Sequence, residues 1–181
     1  MVPSTYTVDI AGRMKRELPV IPISEKMAIA SFVMFSDVEL VVVCAEELLK
    51  RAPEFDVIVT AESKGIPLAY EMSRQSGKRY ILARKFAKLY MKEPIEVTVN
   101  SITTSREQKL ILDSDDVEYI RGKRVLIVDD VISTGGSVYG LEKLVHTIGG
   151  NIVGKCFALA EGDATERDDI IYLGHIPVFE R

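Results

Sequence analysis

Apolar residues along the chain form two kinds of pattern: continuous runs that predict buried strands, and spaced positions that predict helices. Four runs are almost wholly apolar, which is typical of strands buried on both faces of a parallel sheet. They are residues 56–60, 79–83, 124–128 and 151–160. Amphipathic patterns between and before them predict helices at residues 38–51, 66–76 and 137–148. Because strands and helices alternate, we expect an α/β fold, a central parallel sheet flanked by helices.

Each predicted helix ends at a residue that disfavours its continuation. The first stops shortly before Pro53, since the residue preceding a proline avoids helical backbone angles. The other two stop at Gly77 and at Gly149, which is the usual position of a left-handed glycine cap. These signals place the helix ends independently of the apolar pattern.

Two segments fit the alternating pattern less well. Residues 1–37 are expected to form a small irregular cap that belongs to the same domain, so residues 1–181 make one domain. Residues 93–116 contain an alternating stretch at 96–102, a polar turn at 103–108 and a returning strand at 109–112. A polar hairpin that projects from an α/β core is a natural flexible lid.

Composition limits the class of partner. The chain has 181 residues, of which 47% are hydrophobic and 28% charged, as expected for a folded globular protein. Its formal net charge of −4 argues against nucleic acid or an anionic membrane as a partner. An anionic small molecule would therefore need a local binding site.

The few cysteines and histidines predict no metal centre. Cys44 and Cys156 stand far apart in apolar surroundings, and His146 and His175 have no ligand-type spacing. The chain start lacks the pattern of a signal peptide, and the apolar stretches 27–35 and 40–45 are too short to span a membrane. These observations predict a cytoplasmic protein with two reduced, buried thiols.

Residues 125–137 carry the strongest chemical signal. An apolar strand runs into Asp129 and Asp130, then into a turn rich in hydroxyls and glycines, then into a helix. Backbone N–H groups at such a turn and helix start suit a phosphate, and glycines allow close approach. Paired carboxylates at a strand's carboxyl end can accept hydrogen bonds from sugar hydroxyls. The segment is neither a Walker loop nor a dinucleotide fingerprint, because both glycine patterns are absent.

This segment resembles the motif that binds phosphoribosyl pyrophosphate (PRPP) in type I phosphoribosyltransferases. The resemblance implies that family's fold, with an N-terminal hood and a flexible hairpin lid over the parallel sheet. It implies that Asp129 and Asp130 hold the ribose 2′- and 3′-hydroxyls and that the turn cradles the 5′-phosphate. The residues of the motif here are Asp129, Asp130, Val131, Ile132, Ser133, Thr134, Gly135, Gly136 and Ser137.

Two further segments resemble the family in the same chain order, and their form is typical of its adenine branch. One is the pyrophosphate loop at the end of the first strand, which here contains Glu62, Ser63, Lys64 and Gly65. The other is a basic stretch after the second strand, which here contains Arg84, Lys85 and Lys88. The resemblance implies that Lys64, Arg84 and Lys88 offset the charge that develops on departing pyrophosphate. The expected catalytic residues are then Arg84, Lys88, Asp129 and Asp130.

Residues 33–37 resemble the Phe-x-Asp signature of the adenine branch, in which the hood covers the base. Met34 and Phe35 are the implied base-binding residues, and Phe35 could stack on a purine or could be a core aromatic. The sequence departs from that branch at residues 103–107, where no loop glutamate can be aligned. Which purine is used therefore stays open at this stage.

The resemblance implies a purine phosphoribosyltransferase, with adenine and PRPP expected to give AMP and pyrophosphate in purine salvage. It also implies Mg²⁺ that arrives with PRPP, no dedicated metal ligands from the protein, and a homodimer. A xanthine or hypoxanthine-guanine enzyme is one alternative. A non-catalytic PRPP sensor is another, because residues 64–70 also resemble the effector domain of bacterial purine operon repressors.

Overall fold

The helices and strands alternate as the apolar pattern predicts, and two additional sheets flank the central one. The computed structural model describes residues 2–100 and 107–181. The strands are β1 (Thr5–Ile10), β2 (Met14–Pro22), β3 (Met27–Ala30), β4 (Val57–Ala61), β5 (Arg79–Ala83), β6 (Ile95–Asn100), β7 (Glu107–Leu112), β8 (Arg124–Ile132), β9 (Asn151–Glu161), β10 (Ile171–Ile176) and β11 (Val178–Glu180). The helices are α1 (Val38–Arg51), α2 (Ile66–Ser76), α3 (Ser114–Ile120) and α4 (Gly136–Ile148), and a 3-10 turn covers Gly162–Glu166.

The central sheet has five parallel strands in the order β10-β9-β8-β4-β5. Its middle strands are buried on both faces; Val57, Ile58 and Val59 have no exposed surface. This burial explains why the strands read as continuous apolar runs. The predicted α/β fold with a parallel sheet flanked by helices is confirmed.

The helix ends lie where the sequence predicts them. α1 begins after Asp37, whose carboxylate accepts a hydrogen bond of 3.1 Å from the Leu40 N–H, and α1 ends before Pro53. α2 ends at Gly77 with φ +68°, and α4 ends at Gly149 with φ +81°. Both glycines adopt the left-handed conformation that closes a helix without a steric cost.

The N-terminal segment is more regular than the sequence pattern indicates. It is an antiparallel sheet in the order β1-β2-β3-β11, so the expectation of an irregular cap is wrong. The sheet is completed by β11 at the other end of the chain, where Val178 pairs with Ile29. A pairing across such a sequence distance cannot be read from a local pattern.

The hairpin of β6 and β7 is joined to the core at its base. Val97, Leu110 and Leu112 are buried in one core cluster with the central sheet, and Arg84 and Ile111 exchange backbone hydrogen bonds of 2.8 and 2.9 Å. Residues from Ser114 onward form α3 instead of extending the hairpin. Residues 103–106 of the predicted polar turn (103–108) lie outside the described residues, and residues 107 and 108 belong to β7, so the returning strand begins earlier than the predicted residue 109. Within the described ranges, no helix is long and apolar enough to cross a membrane.

Candidate active site

The carboxyl edge of the central sheet opens between β4 and β8. These strands pair at Val57–Val125, Ile58–Leu126 and Val59–Ile127, and the pairing ends there although both strands continue. β5 lies on one side of β4, whereas β8 and β9 lie on the other, so the winding of the chain reverses at this point. Open α/β sheets bind their ligands at such a switch point.

The two acids of the motif lie at this opening. They belong to β8, because its pairing with β9 continues from Asp129–Phe157 to Ile132–Ala160. The prediction that this strand ends at Val128 is therefore wrong. The continued pairing with β9 supplies backbone partners, so the polar residues do not terminate the strand. The acids are consequently held on a rigid element instead of a loop.

The surroundings of the acid pair disfavour its charged form. Asp130 is buried and Asp129 is half-buried, and the Asp130 N–H donates a 2.9 Å hydrogen bond to Asp129 Oδ1. Asp130 Oδ2 is buried and has no hydrogen-bond partner among the described residues. Burial raises the pKa of both carboxyl groups, and the neighbouring Asp130 raises the pKa of Asp129 further. Buried carboxylate oxygens without partners are suited to accept hydrogen bonds from ligand hydroxyls.

The turn after β8 leads directly into α4. Gly135 has φ +82° and caps the helix, which starts at Gly136. The first N–H groups of a helix have no intrahelical partner and carry a partial positive charge, so this end attracts an anion. The hydroxyl-bearing residues Ser133, Thr134 and Ser137 are exposed at the same turn.

Glu62 joins the loop after β4 to the basic stretch after β5. Its Oε1 accepts a 3.0 Å hydrogen bond from Arg84 Nη1, and its Oε2 accepts one of 2.9 Å from the Lys85 N–H. The Glu62 N–H in turn donates to the Ala83 carbonyl at 3.0 Å. Two segments predicted from separate motifs are therefore one structural unit. The loop's remaining polar side chains, Ser63 and Lys64, are exposed.

Gly65 packs so closely against β8 that a larger residue cannot replace it there. A Cβ at this position would lie 2.5 Å from Asp129 Oδ1, 2.6 Å from Thr60 Oγ1 and 3.0 Å from Asp129 Cα. The φ of Gly65 is −75°, which other residues adopt readily, so space alone requires the glycine. The loop after β4 therefore packs directly against Asp129 of the acid pair.

A small cavity lies where these segments meet. Its lining residues come from β4, β7, β8, α4 and the segments that follow β4 and β5, and are Ala61, Glu62, Lys85, Leu110, Asp129, Gly136, Ser137 and Gly140. Five residues expected in the PRPP site therefore surround one space, and most of the others are their chain neighbours. Lys88 is exposed beyond Arg84 and does not line the cavity.

The two expected base-binding residues lie elsewhere. Met34 is buried at a second cavity between α1 and α2, which Pro67 and Tyr70 also line. Phe35 is 47% exposed. Asp37, the acid of the Phe-x-Asp signature, caps α1 and accepts a 2.8 Å hydrogen bond from Arg16 Nε, which lowers its pKa. The structure thus gives Asp37 an architectural role and does not bring Met34 or Phe35 into the first cavity.

Three residues near the site were not expected from the sequence. Thr60 is fully buried with no hydrogen-bond partner for its hydroxyl among the described residues, and its position at the end of an apolar strand was the available signal. Leu110 reaches the cavity from the hairpin. Arg167 Nη1 lies 3.0 Å from the position that a Cβ on Gly135 would occupy. No local pattern around Arg167 indicates this proximity.

Comparison with known proteins agrees with the geometry. Residues 41–176 match the family model described as phosphoribosyl transferase domain. An adenine phosphoribosyltransferase of Acetivibrio thermocellus is 34% identical over 159 residues, which cover 81% of this chain and 84% of that protein. An adenine phosphoribosyltransferase of Cenarchaeum symbiosum is 38% identical over 115 residues, which cover 62% of this chain and 65% of that protein. The chain thus spans slightly less than two thirds of the length of the Cenarchaeum relative.

A solved structure supports the fold. The adenine phosphoribosyltransferase of Thermoanaerobacter pseudethanolicus superimposes with a TM-score of 0.62 at 24% identity. The superposition covers 77% of this chain and 79% of that chain. At this level of identity the likeness concerns the fold, and the site must be argued from its own residues.

Proposed function

The chain belongs to the phosphoribosyl transferase domain family, and we propose that it transfers the phosphoribosyl group of PRPP to adenine, giving AMP and pyrophosphate. One observation carries the proposal: Asp129 of the acid pair, the start of α4 and the Glu62–Lys85 contact line one cavity. Each part suits a different group of PRPP, namely its sugar hydroxyls, its 5′-phosphate and its diphosphate. The names of the relatives support adenine as the base.

In this reaction N9 of the purine forms a bond to the anomeric carbon while the bond from that carbon to the diphosphate oxygen breaks. Pyrophosphate takes the bonding electrons, and the N9 proton passes to solvent. The carbon has oxocarbenium character between the two events, as in other glycosyl transfers. No covalent intermediate with the protein is required, so catalysis depends on positioning, on charge compensation and on excluding water.

The proposed roles follow the positions of the residues. Asp129 and Asp130 accept hydrogen bonds from the ribose hydroxyls, and residues 133–137 bind the 5′-phosphate through the turn and the start of α4. The loop after β4, which contains Ser63, Lys64 and Gly65, faces the diphosphate. The charge of the diphosphate is compensated by Arg84, Lys85 and Lys88. Glu62 holds Arg84 and the Lys85 backbone in place. Met34 and Phe35 stay proposed base-binding residues of the hood.

The acid pair also fits a divalent cation near the sugar. Burial raises the pKa of both carboxyl groups, and a nearby cation would oppose this effect by favouring their charged forms. Asp130 Oδ2 also has no hydrogen-bond partner among the described residues. In the part of the chain that the structure describes, no three acidic, histidine or cysteine side chains group as a metal site. Mg²⁺ bound with PRPP would neutralise charge on the diphosphate, and Asp129 and Asp130 are the residues that would balance its charge from the protein side.

The base specificity is tested by offering each purine in turn. With PRPP and Mg²⁺ present, we expect kcat/KM for adenine to exceed that for hypoxanthine, guanine and xanthine by at least about a hundredfold, because a site that hydrogen-bonds an exocyclic amine leaves groups unpaired against a carbonyl. Pyrophosphate release measures the reaction. A higher value with another purine would replace adenine by that base. PRPP binding without turnover on any base would support the sensor alternative.

We further propose that the hairpin of β6 and β7 covers the cavity during the reaction. Leu110 on β7 already lines the cavity, and Lys143 on α4 donates a 2.9 Å hydrogen bond from Nζ to the Thr98 carbonyl on β6. The buried base of the hairpin would keep the cover attached to the sheet and to α4. A cover protects the oxocarbenium-like carbon from water.

This proposal predicts protection of the hairpin by substrate. Trypsin cleavage after Arg106 and Lys109 should slow by roughly tenfold to a hundredfold when PRPP with Mg²⁺ is present at about 100 times its Kd, since only the unliganded fraction is open. Arg106 lies outside the described residues, whereas Lys109 lies on β7. Cleavage after Lys26, in the exposed turn between β2 and β3, is the internal reference. Equal rates of hairpin cleavage with and without PRPP would contradict the cover.

We also propose a homodimer in the cytoplasm. Val33, Val38 and Tyr70 are exposed to 46%, 74% and 56% around the cavity between α1 and α2, and this apolar surface suits a second subunit. Sedimentation as a monomer at micromolar concentration would contradict it.

Cys44 and Cys156 are free thiols, and burial raises the pKa of each to about 12, so they suit a reducing compartment.

A further inference from the structure

The phosphate turn has no cation of its own. Between Arg124 and Lys143 the sequence contains no lysine or arginine, while Asp129 and Asp130 place two carboxylates beside the turn. A 5′-phosphate carries up to two negative charges, and a helix N-terminus compensates only about half of one. A cation supplied from elsewhere in the fold would therefore strengthen the binding considerably.

Arg167 is the cation that the fold brings to this turn. It follows the 3-10 turn after β9, and its Nη1 lies 3.0 Å from the position of a Cβ on Gly135. Among the described residues, Nη1 has no hydrogen-bond partner, whereas Nε and Nη2 donate to Asp169 Oδ1 and Oδ2 at 2.8 Å each. One edge of the guanidinium is thus occupied, and its remaining donor lies against the turn.

The guanidinium is held by a chain of ion pairs that leads back to the sheet and to α4. Asp169 pairs with Lys155 on β9, and Lys155 Nζ also donates a 2.6 Å hydrogen bond to Glu142 on α4. The Lys155 side chain is only 11% exposed. Hydrogen bonds from Arg167 and Lys155 hold the pKa of Asp169 well below its ordinary value, so this carboxylate stays charged. Arg167 is therefore positioned before any ligand binds, which lowers the entropic cost of using it.

The surroundings of Arg167 are acidic. From Glu161 to Asp169 the chain contains five acids, which are Glu161, Asp163, Glu166, Asp168 and Asp169, and Arg167 is its one basic residue. Such a segment beside a phosphate site would repel the ligand unless its cation faced the ligand. In the structure the Arg167 Nη1 faces the turn and Asp169 binds the other edge of the guanidinium, so the segment presents its cation to the ligand.

We propose that Arg167 is a phosphate-binding residue of this site, donating from Nη1 to the 5′-phosphate that the turn at residues 133–137 holds. This inference rests on the proposed PRPP site. The same contact would serve the 5′-phosphate of the product nucleotide, because that group stays on the turn throughout the transfer. Arg167 takes no part in bond making and acts on affinity for phosphorylated sugars.

The test uses ribose 5-phosphate and pyrophosphate as separate probes. Arg167→Gln should weaken the binding of ribose 5-phosphate by about tenfold to a hundredfold, the range for a hydrogen bond between charged groups, and should leave pyrophosphate binding unchanged. Arg167→Lys keeps the charge but cannot form the paired contact with Asp169, so its affinity should fall between those of wild type and Arg167→Gln. Calorimetric titration in buffer of low ionic strength measures each Kd, because salt screens a partly exposed cation.

Arg121 offers a matched control at the other end of α4. Its Cγ packs 3.7 Å from the position of a Cβ on Gly149, the left-handed glycine that ends the helix. Arg121→Gln removes the same charge at the opposite end of the helix from the phosphate turn and should leave both affinities at wild-type values. Equal affinity of Arg167→Gln and wild type for ribose 5-phosphate would overturn the inference, as would an equal loss for both probes. Wild-type protein that does not bind ribose 5-phosphate would overturn the proposed PRPP site itself.

Discussion

Replacing both Asp129 and Asp130 with asparagine should abolish PRPP binding and, at neutral pH, make the protein more stable. Each carboxylate that accepts a hydrogen bond from a sugar hydroxyl contributes roughly 1.5–3 kcal/mol to binding, so loss of the pair costs at least about a hundredfold in affinity. Asparagine has nearly the same shape and leaves the pairing of β8 with β9 intact. The loss would thus concern the ligand and not the fold.

The gain in stability follows from the raised pKa of both carboxyl groups. A carboxyl group whose pKa is higher in the folded state stabilises the protein fully below its unfolded pKa, and that stabilisation is lost as pH rises through the folded pKa. At neutral pH the folded pair must either take up protons that the unfolded chain does not bind or carry its charge in a buried setting, and asparagine avoids both costs. We expect the double variant to gain about 1–3 kcal/mol in free energy of unfolding at pH 8, and much less at pH 4, where the acids are protonated in the folded state and about half protonated in the unfolded chain.

Urea unfolding at pH 4, 6 and 8, combined with PRPP titration at pH 8, measures both effects. Asp115 and Asp116, an adjacent acid pair at the start of α3, provide the control. Their double replacement by asparagine should leave PRPP affinity unchanged, because neither residue lines the cavity. Wild-type affinity in the Asp129→Asn, Asp130→Asn variant would exclude the acids from the site.

Gly65→Ala should reduce turnover by about a hundredfold or more, since displacing a catalytic group by about 1 Å is enough for such a loss. The added Cβ would lie 2.5 Å from Asp129 Oδ1 and 3.0 Å from Asp129 Cα. A side-chain oxygen can rotate away, but the Cα is part of β8 and can yield only if the strand or the loop moves. Either movement separates the diphosphate loop from the acid pair.

Gly77→Ala is the control for a general effect of replacing a helix-terminal glycine with alanine. Gly77 has φ +68° and nothing within 4 Å of its Cβ position, so alanine there strains the backbone by about 1–2 kcal/mol without a clash. Overpacking at Gly65 costs a similar amount, about 1–3 kcal/mol, so the two variants should have comparable stability. Only Gly65→Ala should lose kcat and PRPP affinity. Similar kinetics in both variants would contradict the close approach of the loop to β8.

Local sequence pattern determined most of the central α/β unit. β5, α1 and α2 have the predicted bounds, because a continuous apolar run, a proline or a left-handed glycine acts within a few residues of its own position. The acids and glycines of residues 125–137 were recognised for the same reason. Their chemistry is contiguous in the chain, so one strand, turn and helix present it together.

The tertiary structure decided which distant segments meet. β11 completes the N-terminal sheet against β3, β4 and β8 separate beyond Val59, and Arg167 reaches Gly135 from a separate part of the chain. None of these contacts has a local signature, because each depends on the packing of elements that are far apart in sequence and on the free energy of the whole arrangement. A short pattern encodes backbone angles and the burial of one face. Which element packs against that face, and which cation lies beside the phosphate turn, are decided only when the sheet assembles.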